Sequence, residues 1–162
     1  MNTLIDTAKV KDRRRLRFES IDDIAAEVER LARCTDIKTL GNWSHGQVLQ
    51  HLAMTMHNSI DGFPSFVPAP IRLFLRLVMK RRILTTPMSA GFKLPPKAAE
   101  HMLPQPTEWD VALANFRRGM QRLKSETKRS VHPAFGPLTD AEWDQLHCRH
   151  SELHLGFLVP VD

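Results

Sequence analysis

Four segments of this chain start alike, with a serine or threonine three residues ahead of an acid or an amide: "SIDD" (20–23), "SHGQ" (44–47), "TEWD" (107–110) and "TDAE" (139–142). This is the capping-box pattern, in which the hydroxyl accepts from a free backbone N–H of the first turn and the later side chain reaches back to the cap. Apolar residues at helical spacing follow each box. The pattern predicts helices over 21–34, 45–61, 108–126 and 140–158. Their inward positions are Ile24, Val28 and Leu31; then Val48, Leu49, Leu52, Ala53, Met56 and Ile60; then Val111, Leu113, Phe116, Met120 and Leu123; and finally Trp143, Leu146, Leu153, Leu155 and Phe157. No stretch alternates as a strand does. A chain of 162 residues is long enough for one domain with one core.

The expectation is therefore an all-α fold, a four-helix bundle in a single domain over 1–162. A basic segment (1–18) precedes it, and a long connection (63–106) joins its second and third helices. The connection holds most of the chain's eleven prolines. Inside it "PIRLFLRLVMKRRIL" (70–84) reads as a short extra helix, with Pro70 in its first turn. A crossover this long lets the helices on either side run parallel, which a short loop cannot do, and predicts the order up-down-down-up. Arg72, Arg76 and Lys80 recur every four residues along the extra helix. A membrane surface would suit their stripe, but the expected reading is a stripe in water on a crossover (63–106) that forms a lid or wall over one end of the bundle, not a membrane anchor.

Charge and cysteine content narrow the function classes. The formal net charge is +5, drawn largely from "RRRLR" (13–17) and "KRR" (80–82), which read as surface patches. No zinc-finger spacing or aromatic RNA-binding stretch accompanies them, so no specific nucleic-acid partner is expected. No apolar run approaches the ~20 residues needed to span a bilayer. The first residues lack the apolar run of a secretory signal, and two cysteines make no disulfide framework; a cytoplasmic protein with free thiols is expected.

The chemistry concentrates in "HCRHSELHLGF" (147–157), which holds three of the eight histidines. At about 100° per residue, His147, His150 and His154 share one helical face. Cys148 and Glu152 point elsewhere. His-x-x-x-His offers two imidazoles to one ion, and a third ligand must come from another helix. His51 lies seven residues beyond the Ser44 cap. If its helix runs antiparallel to the last one, its level falls between His150 and His154. These three are the candidate metal ligands. His147 is a pocket or rim residue. His45, His57, His101 and His132 read as surface or loop residues, and Asp144 and Glu152 as carboxylates to one side of the site. The element is not legible, since imidazole would tolerate zinc, nickel or manganese.

Two stretches resemble a known family. "NWSHGQVLQHLAMTMHNSIDG" (42–62) is similar to the second-helix signature of the DinB-like superfamily. "HPAFGPLTDAEWDQLHCRHSELHLGF" (132–157) resembles the C-terminal signature of its DUF1569 branch. The resemblance implies an up-down-down-up bundle, often homodimeric, with a divalent metal held by His51, His150 and His154. Better-understood relatives are bacillithiol transferases and mycothiol-dependent maleylpyruvate isomerases, which implies a low-molecular-weight thiol and a small-molecule substrate. Trp43 is a pocket candidate beside His147, and so are Arg72 and Arg76, because the crossover, as a lid or wall over the metal end, can pass the mouth of the site and bring them to an anionic substrate or thiol. Where such chains often continue His-His-Leu-x-Gln-Phe, this one has Leu153 for the first histidine and "GFL" (156–158) for the end. No general base is legible. The functional expectation is a metal-dependent thiol transferase or isomerase; the alternative is a non-catalytic helical module with a structural or vestigial metal site.

Overall fold

Three of the four capping boxes close as the pattern requires. The Ser20 hydroxyl accepts from Asp23 N–H at 3.3 Å while the Asp23 carboxylate accepts from Ser20 N–H at 3.0 Å. Ser44 and Gln47 exchange the same pair at 3.2 and 3.1 Å, as do Thr139 and Glu142 at 3.2 and 3.1 Å. These boxes open α1 (Ile21–Leu31), α2 (His45–Asp61) and α7 (Asp140–Leu155). The fourth box does not form. α6 (Trp109–Ser125) is capped at Glu108 without a side-chain bond, and the Thr107 hydroxyl donates instead to Gln105 O at 2.8 Å. Packing explains the difference. The Thr107 carbonyl is pressed onto the first turn of α2, so close that a Cβ on Gly46 would lie 2.0 Å from it.

The computed structural model describes residues 4–64, 67–92 and 96–161. The chain is mostly helical. The crossover holds α3 (Ala69–Val78), α4 (Lys80–Thr85) and α5 (Pro96–Met102). The single helix expected over 70–84 is broken at Met79, where the chain bends so that Leu84 reaches Trp143 and Leu146 and Lys80 pairs with Glu142. β1 (Asp36–Thr39) and β2 (Leu158–Val161) form an antiparallel pair, with Asp36 opposite Val161 and Thr39 opposite Leu158. The pair was not expected, and it ends two helices early. α1 stops at Leu31 rather than near 34, and α7 at Leu155 rather than 158.

The four long helices pack in a closed ring, α1 on α7, α7 on α2, α2 on α6 and α6 on α1. Side-chain bonds give their directions. Lys124 with Asp22 and Arg117 with Glu29 make α1 and α6 antiparallel. Asn115 with Gln50 and Arg122 with Asp61 make α2 and α6 parallel. His51 beside His150 and Ser59 beside His147 make α2 and α7 antiparallel. The main core gathers Ile24, Val28, Leu31, Leu49, Leu52, Met56, Ile60, Phe116, Leu123, Cys148 and Leu155. A smaller cluster of Leu84, Trp143 and Leu146 lies under α4. Val111, expected inward, is exposed; Ala112 takes its place.

α7 is buried on more than one side. Cys148 and Glu152 point away from the histidine face as expected, yet both are covered, Cys148 in the main core and Glu152 against the segment before α1. Glu152 accepts from Phe18 N–H at 2.6 Å and pairs with buried Arg149, whose guanidinium also donates to Phe18 O. The basic segment is likewise partly structural. Arg14 donates to the carbonyls of Leu155 and Leu158 and pairs with Glu27, so its cation sits where the α7 dipole is negative. Arg13 lies over the Phe157 ring at 4.9 Å.

The Gly46 contact sets the spacing of α2 and α6. Gly46→Ala is expected to destabilise the protein by about 1–3 kcal/mol, because the clash is with backbone and has no rotamer to escape into. Urea unfolding checks this, and an unchanged midpoint would mean that the approach is looser.

Candidate metal centre

The antiparallel pairing of α2 with α7 decides which side chains meet. Passing along α2 from His51 to Ser59 corresponds to passing back along α7 from His154 to His147. His51, His150 and His154 therefore converge, each offering one ring nitrogen, and these nitrogens all lie within 4.8 Å of one another. His51 Nε2 and His150 Nε2 are 3.1 Å apart. Two nitrogens each about 2.1 Å from a shared ion, at 90–110° to one another, stand about 3.0–3.4 Å apart, so this separation suits common ligation. The ring centroids are 4.5–5.0 Å apart.

A backbone carbonyl sets the tautomer of His51. Its Nδ1 lies 3.0 Å from Met102 O, and a carbonyl only accepts, so Nδ1 carries the proton. The Nε2 lone pair is then directed at the other two rings. Without an ion, the short contact requires His150 to donate from its own Nε2. A histidine whose second nitrogen is bonded to a carbonyl is the usual arrangement behind a metal ligand. Trp43 covers the far side: its ring stacks on His154, 5.4 Å away and 9° from parallel, and lies 5.0 Å from His51.

The environment keeps the rings neutral. Burial pushes His51 down to about 4, the carbonyl bond only partly offsetting it. His150 and His154 are half-buried, yet enclosure holds both well below the ordinary histidine value, with neighbouring imidazoles adding to the effect. Neutral imidazole is the ligand form, so the site needs no deprotonation near pH 7.

His147 lies outside this trio. It is buried one turn further into the helix, stacked on Trp143. The Ser59 hydroxyl donates to Met56 O at 2.6 Å, so its oxygen accepts from His147 Nε2–H at 3.2 Å. That makes it a packed core residue, not a rim one. His132, expected at the surface, packs against Phe135, Trp143 and Phe63, and burial lowers it to about 4. Glu152 serves Phe18 and Arg149 rather than the trio. The arginine positions need correction too. Arg76 reaches towards Gly136 and acts on Glu142, at the opposite end of α7, and among the described residues no contact brings Arg72 to the histidines. The part of the crossover that walls the trio is its end, where Met102 O meets His51 and Pro104 O accepts from Gln47 at 3.2 Å. Main-chain carbonyls leave no sequence signal. Two surface grooves, one along α2 and α6 past Gln50 and Arg118, the other past Glu29 and Gln121, include none of the three ligands.

A family model described as a protein of unknown function, DUF1569, matches residues 10–161. The chain belongs to the DUF1569 family. No curated protein and no solved structure matches this DUF1569 chain.

The buried histidines make stability depend on pH. His51 and His132 fall from 6.5 to about 4, and His147 from 6.5 to about 3. Above 6.5 both folded and unfolded chains hold them neutral. Below it the unfolded chain takes up protons that the folded chain refuses, so stability falls as pH falls through this window, by up to about 1.4 kcal/mol per pH unit per histidine. Denaturant unfolding of metal-free protein between pH 7.5 and 4.5 should show this slope, and His147→Gln should flatten it. Equal stability across the range would contradict the burial.

Proposed function

We propose that this DUF1569 protein is a divalent-metal protein with a four-helix bundle of the DinB-like type, ordered up-down-down-up, and that His51, His150 and His154 hold its ion. The reading rests above all on one observation: the proton on His51 Nδ1 is committed to Met102 O, which turns a lone pair towards two further neutral, half-buried imidazoles. Among the described residues the charges acting on His150 and His154 come from other imidazoles. One buried and two half-buried rings with so few partners of their own among the described residues are costly unless a shared ligand compensates. The ring of α1, α7, α2 and α6, with its parallel α2–α6 pair, supports the bundle.

Three neutral ligands leave a divalent ion its full charge and at least one open position, so it would lower the pKa of a bound water or thiol. The protein's own part is orientation and shielding. Met102 O holds His51 in one tautomer, and Trp43 fixes the plane of His154 and keeps water from one side. The reaction class proposed is transfer or isomerisation through a low-molecular-weight thiol, on a small electrophilic substrate. Zinc, nickel and manganese all suit the ligand set.

Elemental analysis of protein purified without added metal tests the site. About one equivalent is expected in the wild type and far less in His150→Ala, with thiol-dependent turnover of an electrophile lost in parallel. Wild type that takes up none of the three metals on reconstitution would refute the proposal; metal without turnover would favour a non-catalytic module. Chelation is expected to leave helicity intact, because Ile24, Leu49, Phe116 and the rest of the core pack without the trio. Circular dichroism checks this, and unfolding on chelation would make the ion structural.

A further inference from the structure

α3 is turned the wrong way for a helix that ends at water. At about 100° per residue, Leu73, Phe74, Leu77 and Val78 occupy one arc, and Arg72 and Arg76 lie roughly opposite. In a soluble surface helix the arginine arc faces solvent and the apolar arc faces the core. Here no residue of α3 is buried. Leu73 is 58 % exposed, Phe74 59 %, Leu77 74 % and Val78 59 %, with Ile71 and Met79 also exposed beside them. Arg72 is half-buried; Arg76 is exposed and reaches back towards Gly136. α4 fastens this arrangement to the body through Leu84 against Trp143 and Leu146, and through Lys80 with Glu142 at 2.5 Å.

Charge identifies what covers the arc. Between Asp61 and Glu100 the chain has no acidic residue and seven cations, more than the whole chain's net +5. Arg81 and Arg82 stand exposed directly beyond α3, and no ion pair engages either among the described residues. A second copy paired face to face through this arc would bring two such acid-free, cationic edges together, with nothing of opposite charge to offset them. A surface of anionic lipid supplies both halves of the match, acyl chains for the apolar arc and phosphates for the arginines. Among the described residues no helix is long and apolar enough to cross a membrane, so the contact proposed is a peripheral one.

We infer that α3 and the start of α4 form a peripheral membrane-binding element, with Leu73, Phe74, Leu77 and Val78 seated among the lipid chains and Arg81 and Arg82 on anionic headgroups. This inference is independent of the metal site, which lies towards the other end of α7.

Co-sedimentation of the full-length protein with vesicles tests it. Binding is expected to phosphatidylcholine vesicles containing phosphatidylglycerol, at least about tenfold above pure phosphatidylcholine, and to weaken as salt rises. Arg81→Glu/Arg82→Glu should lower the partition at least about 30-fold. Leu73→Ser/Phe74→Ser/Leu77→Ser should abolish it. All five side chains are exposed, so both variants should keep wild-type circular dichroism and metal content. Absence of vesicle binding at low salt, or binding unaffected by either variant, overturns the inference. So does a wild-type dimer in light scattering that fails to bind vesicles and dissociates in the triple-serine variant, which would make a second copy the occupant.

Discussion

The antiparallel packing of α2 against α7 is the contact on which the remainder depends. It sets His51 beside His150 and His154, and one stretch deeper it sets Ser59 under His147. A shift of one turn, about 5.4 Å, would uncouple all of these pairs. The register is held from several directions. The Gly46 approach to Thr107 fixes where α6 lies on α2. Arg14, drawn in by the carbonyls of Leu155 and Leu158, holds the end of α7 where β2 begins. The β1–β2 pair ties that end to the chain just after α1.

α7 carries two different environments along one helix. Its last turns bring three neutral imidazoles together under Trp43, a place poor in hydrogen-bond partners and rich in lone pairs. Its first turns hold Trp143 and Leu146 beneath α4, from which the apolar arc of α3 projects into solvent. Between them His147 is neutral and fully packed. The helix is buried on several sides, so its polar residues are interior ones, bonded to Ser59, Phe18 or each other. That explains why the apolar periodicity of 140–158 is the weakest of the four long helices: core and site share the same surface.

The fold was legible where local chemistry decides it. Ser20, Ser44 and Thr139 announce their helices because a cap is satisfied within four residues. Thr107 misled because a distant contact, Gly46, outweighs the local one. The strands were not legible: each has four residues, one includes Pro160, and neither is long enough to alternate. The meeting of His51, His150 and His154 followed from helical spacing and an antiparallel guess, both of which the side-chain contacts bear out. Met102 was invisible, because it meets His51 through its main-chain carbonyl. Arg72 and Arg76 were misplaced because the crossover was expected to bring its basic helix past the mouth of the site, whereas its end, at Met102 and Pro104, lies there.

The central claim is that α2 and α7 together build one three-imidazole site. X-ray absorption spectroscopy of the zinc- or nickel-loaded protein addresses it most directly, beside a His51→Ala sample. The account predicts a shell containing about three imidazole nitrogens at about 2.0–2.1 Å, and one fewer when His51 is removed. A shell dominated by sulfur or carboxylate oxygen, or one identical in His51→Ala, would contradict it.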